Sequence, residues 1–192
     1  MNTMKNLKTI ALITFVVLST ATITAQDKKP IDVSKSKINW VGKKITGQHE
    51  GTVNFKDGIL LFKGKDLKGG RFAADMTTLT STDLSGDYQQ KLNGHLNGDD
   101  FFGTTKYPTA VLAFKKVVPK GDGVYTVTAD LTIKDKTNPI TFDLAIKGNT
   151  ATTKFAVDRT KYDIKYGSGS FFDNLGDKTI SDNFDLTVSL QF

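Results

Sequence analysis

The sequence predicts an all-β protein, an eight-stranded antiparallel up-and-down barrel with one or two short helices. Two observations carry that prediction. Between Gly123 and Ile146 the chain alternates strictly: Tyr125, Val127, Ala129, Leu131 and Ile133 share one face against Thr126, Thr128, Asp130 and Thr132. Ile140, Phe142, Leu144 and Ile146 then oppose Thr141, Asp143, Ala145 and Lys147. Period-2 alternation in Val, Ile, Thr, Tyr and Phe marks a half-buried strand, and two such runs joined by a polar connection mark an antiparallel hairpin. The second observation is repetition: such runs recur along the chain to Phe192, mostly with short links. Closing them into a barrel removes exposed sheet edges, and a two-sheet sandwich is the alternative.

The 192 residues open on a segment that does not read as part of the barrel. Lys5 and Lys8 precede the apolar run Ile10–Leu18, and small residues lead to Ala25 before Gln26-Asp27-Lys28-Lys29. This is the pattern of a secretory signal peptide over residues 1–25, cleaved near Ala25, which implies a periplasmic or secreted protein. Residues 26–192 are then a single domain, long enough to bury a sizeable core. Loss of the two signal lysines lowers the net charge from +6 to +4. The remaining charges are interspersed, a solvated surface with no nucleic-acid footprint. The chain has no cysteine, which excludes disulfides, a thiolate nucleophile and cysteine metal sites.

In chain order, Gln26–Ser36 is a polar lead-in. Ile38, Trp40 and Gly42 alternate in a first strand, and Gly51, Val53 and Phe55 share a face of a second spanning His49–Phe55. Asp57-Gly58 is a turn or bulge signal, and Ile59–Phe62 is a further strand or a continuation past a bulge. Gly70, Phe72, Ala74 and Met76 line one face of the strand Gly69–Met76, and the Thr- and Ser-rich stretch from Thr77 to Gly86 reads as a loop. Asp87–Leu96 is the helix candidate, with Tyr88, Leu92 and Leu96 at i, i+4 and i+8 and Ser85 or Asp87 as its cap. Thr109–Val118 is a strand carrying Leu112 and Phe114, followed by turn residues Pro119–Gly123. In the hairpin, Lys134–Asn138 is a five-residue connection and Pro139, which has no N–H to donate, opens the returning strand. Thr152–Asp158 is a strand with Phe155 and Val157 inward, Arg159–Lys178 is irregular, and Asn183–Phe192 alternates around Phe184, Leu186, Val188 and Leu190.

Catalytic patterns are missing. His49 and His95 lack metal-ligand spacing, Asp99-Asp100 reads as a loop cap, and Gly167-Ser168-Gly169-Ser170 has no phosphate-loop context. No catalytic residue, metal or cofactor is expected. What the chain supplies is aromatic bulk on inward strand faces and in the adjacent pairs Phe101-Phe102 and Phe171-Phe172. From pattern alone, core packing and a cavity lining account for these side chains equally well.

Several blocks occur in a recognisable order: Trp40, Gly51-Thr-Val-Asn-Phe55, Gly58, His95-Leu96, Asp100-Phe101-Phe102, Tyr107-Pro108, Leu131-Thr-Ile-Lys134 and Thr137-Asn138-Pro139. Arg159, Tyr162, Ile164 and Ile180 follow. Over nearly the whole expected mature chain this resembles the YceI-like family of exported polyisoprenoid-binding proteins. It departs from the family pattern at Leu92 and Asn93, where an Arg-Asp pair is usual, and at Asp135, where glycine is usual. The resemblance implies a lipocalin-like barrel holding a long isoprenoid or other fatty chain, and with no acid–base pair in the sequence no enzymatic activity is expected. A lipid ligand, no nucleic acid, transient contact with a membrane surface and a monomer or homodimer are the corresponding expectations. An outer-membrane barrel and a lipid-modifying enzyme are the alternatives. The expected lipid-binding residues are Trp40, Phe55, Phe72, Leu92, Leu96, Phe101, Phe102, Phe114, Tyr125, Leu131, Phe142, Phe155, Tyr162, Tyr166, Phe171, Phe172 and Phe184. Arg159, Tyr162, Tyr166 and Ser168–Ser170 are the candidates for contact with a head group.

Overall fold

A computed structural model describes residues 26–192. The expected signal peptide, residues 1–25, lies outside the described residues. Nine strands form: β1 (Asp27–Pro30), β2 (Lys37–Lys44), β3 (Gly47–Lys63), β4 (Asp66–Ser81), β5 (Thr109–Gly121), β6 (Val124–Ile133), β7 (Lys136–Lys147), β8 (Thr150–Asp158) and β9 (Ile180–Gln191). Helix α1 (Gly86–Asn97) links β4 to β5, and two 3-10 turns, Arg159–Tyr162 and Gly176–Lys178, lie between β8 and β9. From β2 to β9 each strand pairs antiparallel with the next, and β9 pairs with β2 to close an eight-stranded barrel. β1 stands outside that ring. It pairs with the second half of β3, Asp27 opposite Phe62 and Pro30 opposite Ile59, alongside the half that β2 occupies. Part of the expected lead-in is therefore strand.

The long strands differ from the expected short ones for local reasons. Asp57-Gly58 does not turn the chain. Phe55 pairs with Ala74 and Asp57 with Ala73, so one extra residue bulges within a continuous β3. The bulge reverses the parity of the strand. Gly51, Val53 and Phe55 are buried before it and Leu60 and Phe62 after it, so both halves send side chains into one interior. β4 likewise continues through Thr77–Ser81, which corrects the expected loop, and β5 continues through Pro119–Gly121. The β6–β7 connection is the two-residue turn Lys134-Asp135, both at positive φ (48° and 58°), the backbone of a tight hairpin. Thr137, Asn138 and Pro139 are thus strand residues, with Pro139 opposite Asp130 instead of at the strand start. A missing N–H is tolerated there because β7 pairs with β8 only over Ala145–Lys147.

The interior has two packed regions. At the end away from α1, buried Leu60, Phe62 and Leu67 pack together with Phe192, and the Lys29 ammonium lies 5.0 Å from the centroid of the Phe62 ring. At the other end Trp40, Val53, Leu96, Phe101, Val157, Tyr162 and Ile164 pack together. Helix α1 is fastened over this end by side chains and lacks a side-chain N-cap at Ser85. Gln89 Nε2 donates to the Ser81 carbonyl (2.7 Å) and Asn93 Oδ1 accepts from the Ser81 N–H (2.8 Å). Asn93 Nδ2 also donates to Thr80 Oγ1 (2.9 Å). These bonds hold the helix against the end of β4 and turn Leu92 and Leu96 to the barrel axis.

Candidate lipid cavity

Inward side chains that do not meet across the barrel leave a cavity of about 230 Å³ between the two packed regions. Its wall is built by strand parity. β2 contributes Ile38, Trp40 and Gly42, and β3 contributes Val53 and Phe55. β4 and β5 contribute Phe72, Met76, Leu112 and Phe114. Leu131 of β6, Phe142 of β7, Phe155 of β8 and Phe184 of β9 complete the circuit. Leu92, His95 and Leu96 of α1, with Phe101 and Phe102 of the following loop, cover one end. The rings interlock: Phe114 and Phe142 meet edge to face at 6.1 Å between centroids, and Phe142 stacks on Phe155 at 4.7 Å. Exposed Lys43 and Lys44 also border the cavity, so it reaches the surface beside the β2–β3 turn.

Twelve of the seventeen expected lipid-binding residues line this cavity: Trp40, Phe55, Phe72, Leu92, Leu96, Phe101, Phe102, Phe114, Leu131, Phe142, Phe155 and Phe184. The other five are placed elsewhere. Tyr125 packs against the core at the end away from α1. Tyr162 is 1% exposed in the core between β8 and the loop that follows, where burial and then the Asp158 charge push its phenol up to about 12. Tyr166 is 47% exposed and stands edge-on to His95 at 4.4 Å. Phe171 and Phe172 are each 50% exposed. Phe172 lies with Tyr166 and Leu175 along a shallow surface groove, because the irregular segment runs over the barrel's rim and not into its opening.

Of the expected head-group residues, Tyr162, Tyr166 and Ser168–Ser170 do not line the cavity. Arg159 touches the cavity, but its guanidinium is committed to the backbone. Nε donates to Ser181 O (2.9 Å), Nη1 to Ile164 O and Tyr166 O (both 2.9 Å), and Nη2 to Ile180 O (3.0 Å). The Asp182 carboxylate lies 3.7 Å away. At 2% exposure, desolvation pulls the Arg159 pKa down, against the Asp182 and Asp158 charges that raise it. Burial also acts on Asp182, upward, yet the hydroxyls of Ser168 and Ser170 and the Arg159 cation hold its carboxyl below the ordinary value. Arg159 therefore ties the Arg159–Ile180 loop to β9, and Ser168 is buried within that loop.

The polar groups that do border the opening are ones the sequence reading set aside. Lys44 continues the inward face of β2 beyond Gly42, and His49 continues that of β3 beyond Gly51. His49 Nδ1 lies 2.7 Å from Asp83 Oδ2, and His95 Nε2 lies 3.2 Å from Asp100 Oδ2. Desolvation raises the Asp83 pKa, but hydrogen bonds from His49 and from the Glu50 N–H (3.2 Å) outweigh it and hold the carboxyl below its usual value. The parity signal that placed Val53 inward would have placed His49 there too. Among the described residues no group of His, Asp and Glu side chains is placed to hold a metal ion, and no helix is long and apolar enough to cross a membrane.

A family model described as "YceI-like domain" matches residues 30–192. The chain belongs to the YceI-like family. It is 33% identical over 98 residues to Protein YceI of Shigella flexneri, covering 51% of this chain and 49% of that protein. The chain thus spans about half the length of the curated relatives it matches. Among solved structures, BcnA of Burkholderia cenocepacia superposes with a TM-score of 0.67 at 23% identity, over 83% of this chain and 98% of that one. A polyisoprenoid binding domain from Saccharophagus degradans, implicated in plant cell wall breakdown, superposes at 0.56 and 15% identity, over 87% and 99%. At these identities the structural likeness is one of fold, and it bears out the lipocalin-like barrel expected of YceI-like proteins.

Proposed function

We propose that this YceI-like barrel binds the long apolar chain of an isoprenoid or other fatty lipid in its lumen, for carriage or storage after export. The observation that carries the reading is the cavity itself, walled on all eight strands of the ring by apolar side chains, among them Phe, Leu, Ile, Val, Met and Trp, and reaching the surface at one end. The polyisoprenoid binding domain from Saccharophagus degradans, which shares the fold, supports it. Each methylene moved from water into such a wall gains about 0.8 kcal/mol, so a ten-carbon segment gains roughly 8 kcal/mol before ordering and association costs. Micromolar binding corresponds to about 8 kcal/mol net, so a longer buried chain or an added polar contact has to offset those costs. The reading has the barrel standing in water, since its outer face carries Thr126, Thr128 and the ion pairs Lys115–Asp130 (3.5 Å) and Lys120–Asp143 (2.7 Å). A hydrocarbon environment would not tolerate such a face. It places the protein in the periplasm or outside the cell, as a carrier and not an enzyme.

Organic extraction and mass spectrometry of protein purified from its native host test the proposal. A co-purifying single-chain lipid is the expected result. Repeatedly empty extracts, together with no uptake of offered isoprenoids, would sink it.

A further inference from the structure

Large apolar side chains that stay exposed are concentrated on one part of the barrel rim. Of the seven among the described residues, four fall in two segments: Ile45 in the β2–β3 turn, 66% exposed, and Tyr166, Phe171 and Phe172 in the Arg159–Ile180 loop. Apolar residues scattered singly need no explanation, but a contiguous group does. The two segments adjoin. The Ile45 N–H donates to Thr179 O (3.3 Å), and Lys44 pairs with Ile180. Ile180 lines the cavity and also packs on the loop, since a methyl group built on Gly167 would stand 3.1 Å from its Cδ1. Gly167 in turn borders the groove of Tyr166, Phe172 and Leu175. The apolar patch is therefore continuous with the cavity opening. Its rings are held outward by the loop's own bonds. Ser168 is fully buried, its carbonyl accepts from the Phe171 and Phe172 N–H groups (3.2 and 3.0 Å), and Ser170 Oγ donates to Asp182 Oδ2 (2.5 Å).

We propose that this face docks the barrel reversibly on a zwitterionic phospholipid bilayer, with Ile45, Phe171 and Phe172 entering the interface and the cavity opening held at the membrane surface. Docking follows from these side chains. The purpose it serves, passing a lipid chain between bilayer and lumen, rests on the lumen-binding reading. Aromatic side chains favour the boundary between head groups and acyl chains. Lysines beside them keep the charge in water while their stems cover apolar surface. Lys165 Nζ lies 5.0 Å from the Phe171 ring centroid, and Lys178 borders the groove. The loop's charge is balanced: between Thr160 and Thr179, Lys161, Lys165 and Lys178 oppose Asp163, Asp173 and Asp177. In the turn, Lys43 is paired with Asp185 (2.8 Å), and Lys44 is the further cation. Such a face has no strong demand for anionic lipid. A second copy of the chain is a poorer occupant, because three half-exposed ring residues present about 300 Å² where a stable complex buries about 800 Å² on each partner.

The test is flotation of the purified protein with phosphatidylcholine vesicles, and with the same vesicles containing phosphatidylglycerol, at low and high salt. The protein is expected to float with both, and the anionic lipid should change the lipid concentration for half-binding by less than about three-fold. Phe171→Ser combined with Phe172→Ser should raise that concentration by about ten-fold. Val118→Ser, an exposed site towards the Gly121 end of β5, should leave it unchanged. No flotation with either vesicle overturns the docking and leaves the lumen reading standing, since extracted lipid reports on the lumen separately. Binding that needs phosphatidylglycerol and vanishes in salt overturns docking through the aromatic face. Undiminished binding by the folded double variant overturns the assignment to these residues. A dimer in analytical ultracentrifugation that the double variant abolishes gives the patch to a second copy and overturns the proposal as well. On the unaltered protein, phosphatidylcholine vesicles should slow deuterium labelling of the amides from Gly169 to Leu175. Unchanged labelling there overturns the docking without recourse to any variant.

Discussion

At Gly51 an added methyl group would stand 1.9 Å from the Thr80 carbonyl oxygen and 2.6 Å from the Trp40 ring. The indole packs closely on the β3 backbone at this position, and only a residue without Cβ leaves it room. Gly51→Ala should therefore cost roughly 3 kcal/mol, seen as a lower midpoint in thermal unfolding followed by circular dichroism. A change within error of the parent protein would refute the close approach. Alternation along β3 was enough to read Gly51 as inward. It could not show why the residue is glycine, because Trp40 and Thr80 arrive from two other strands. The same limit applied at the opening. Arg159 and Tyr166 read as head-group contacts because they are polar and lie near an irregular segment, and only the path of that segment reveals that the Arg159 donors are spent on carbonyls.

Among the elements, the Arg159–Ile180 loop is held to the barrel by charge as much as by packing, and this makes it sensitive to acid. The Asp182 carboxyl has a folded-state pKa below its ordinary value of about 3.9. Its contribution to stability is complete above that ordinary value and is lost as pH falls through the lower, folded-state one. Thermal midpoints measured between about pH 5 and pH 2 should drop for the parent protein, and Asp182→Asn should show a shallower drop over the same interval. Parallel curves for the two proteins would remove Asp182 from the acid response. This loop was the least legible element in the sequence, since it has no periodicity to read. β3 was legible in its two halves but not in its joint: Asp57-Gly58 carries the same local signal whether the chain turns or bulges, and register with β4 decides between them. For the β6–β7 link, the polar run Lys134–Asn138 concealed a two-residue turn, because Thr137 and Pro139 sit on the solvent face of β7 and read as loop.

At the scale of the whole molecule, sequential pairing of β2 to β9 was readable because each strand meets its neighbour in chain order across short links. The cavity was not, since an apolar inward face is the same in sequence whether it meets a side chain or empty space. Two substitutions separate the interior from the rim. Phe142→Asp puts a charge among Phe114, Phe155 and Leu144 and should cost about 3 kcal/mol or more, enough to be seen in urea unfolding. Phe171→Ser alters a half-exposed side chain outside the cavity and should stay within about 0.5 kcal/mol of the parent. Equal losses would place Phe171 in the core. The barrel's circumference is also uneven. β8 and β9 share nine residue pairs and β2 and β3 share seven, but β7 and β8 share only three, supplemented by the Thr153 hydroxyl on Asp143 O and the Asn138 amide on Lys161 O. The hoop therefore has a clasp. In deuterium-exchange measurements, amides of β7 between Ile140 and Leu144 and of β8 beyond Thr153 that face this gap should label ahead of those shared by β8 and β9. Unfolding should then start as an unrolling, with the sheet parting at the clasp while the β2–β9 junction, and the wall that bears Trp40, is still intact.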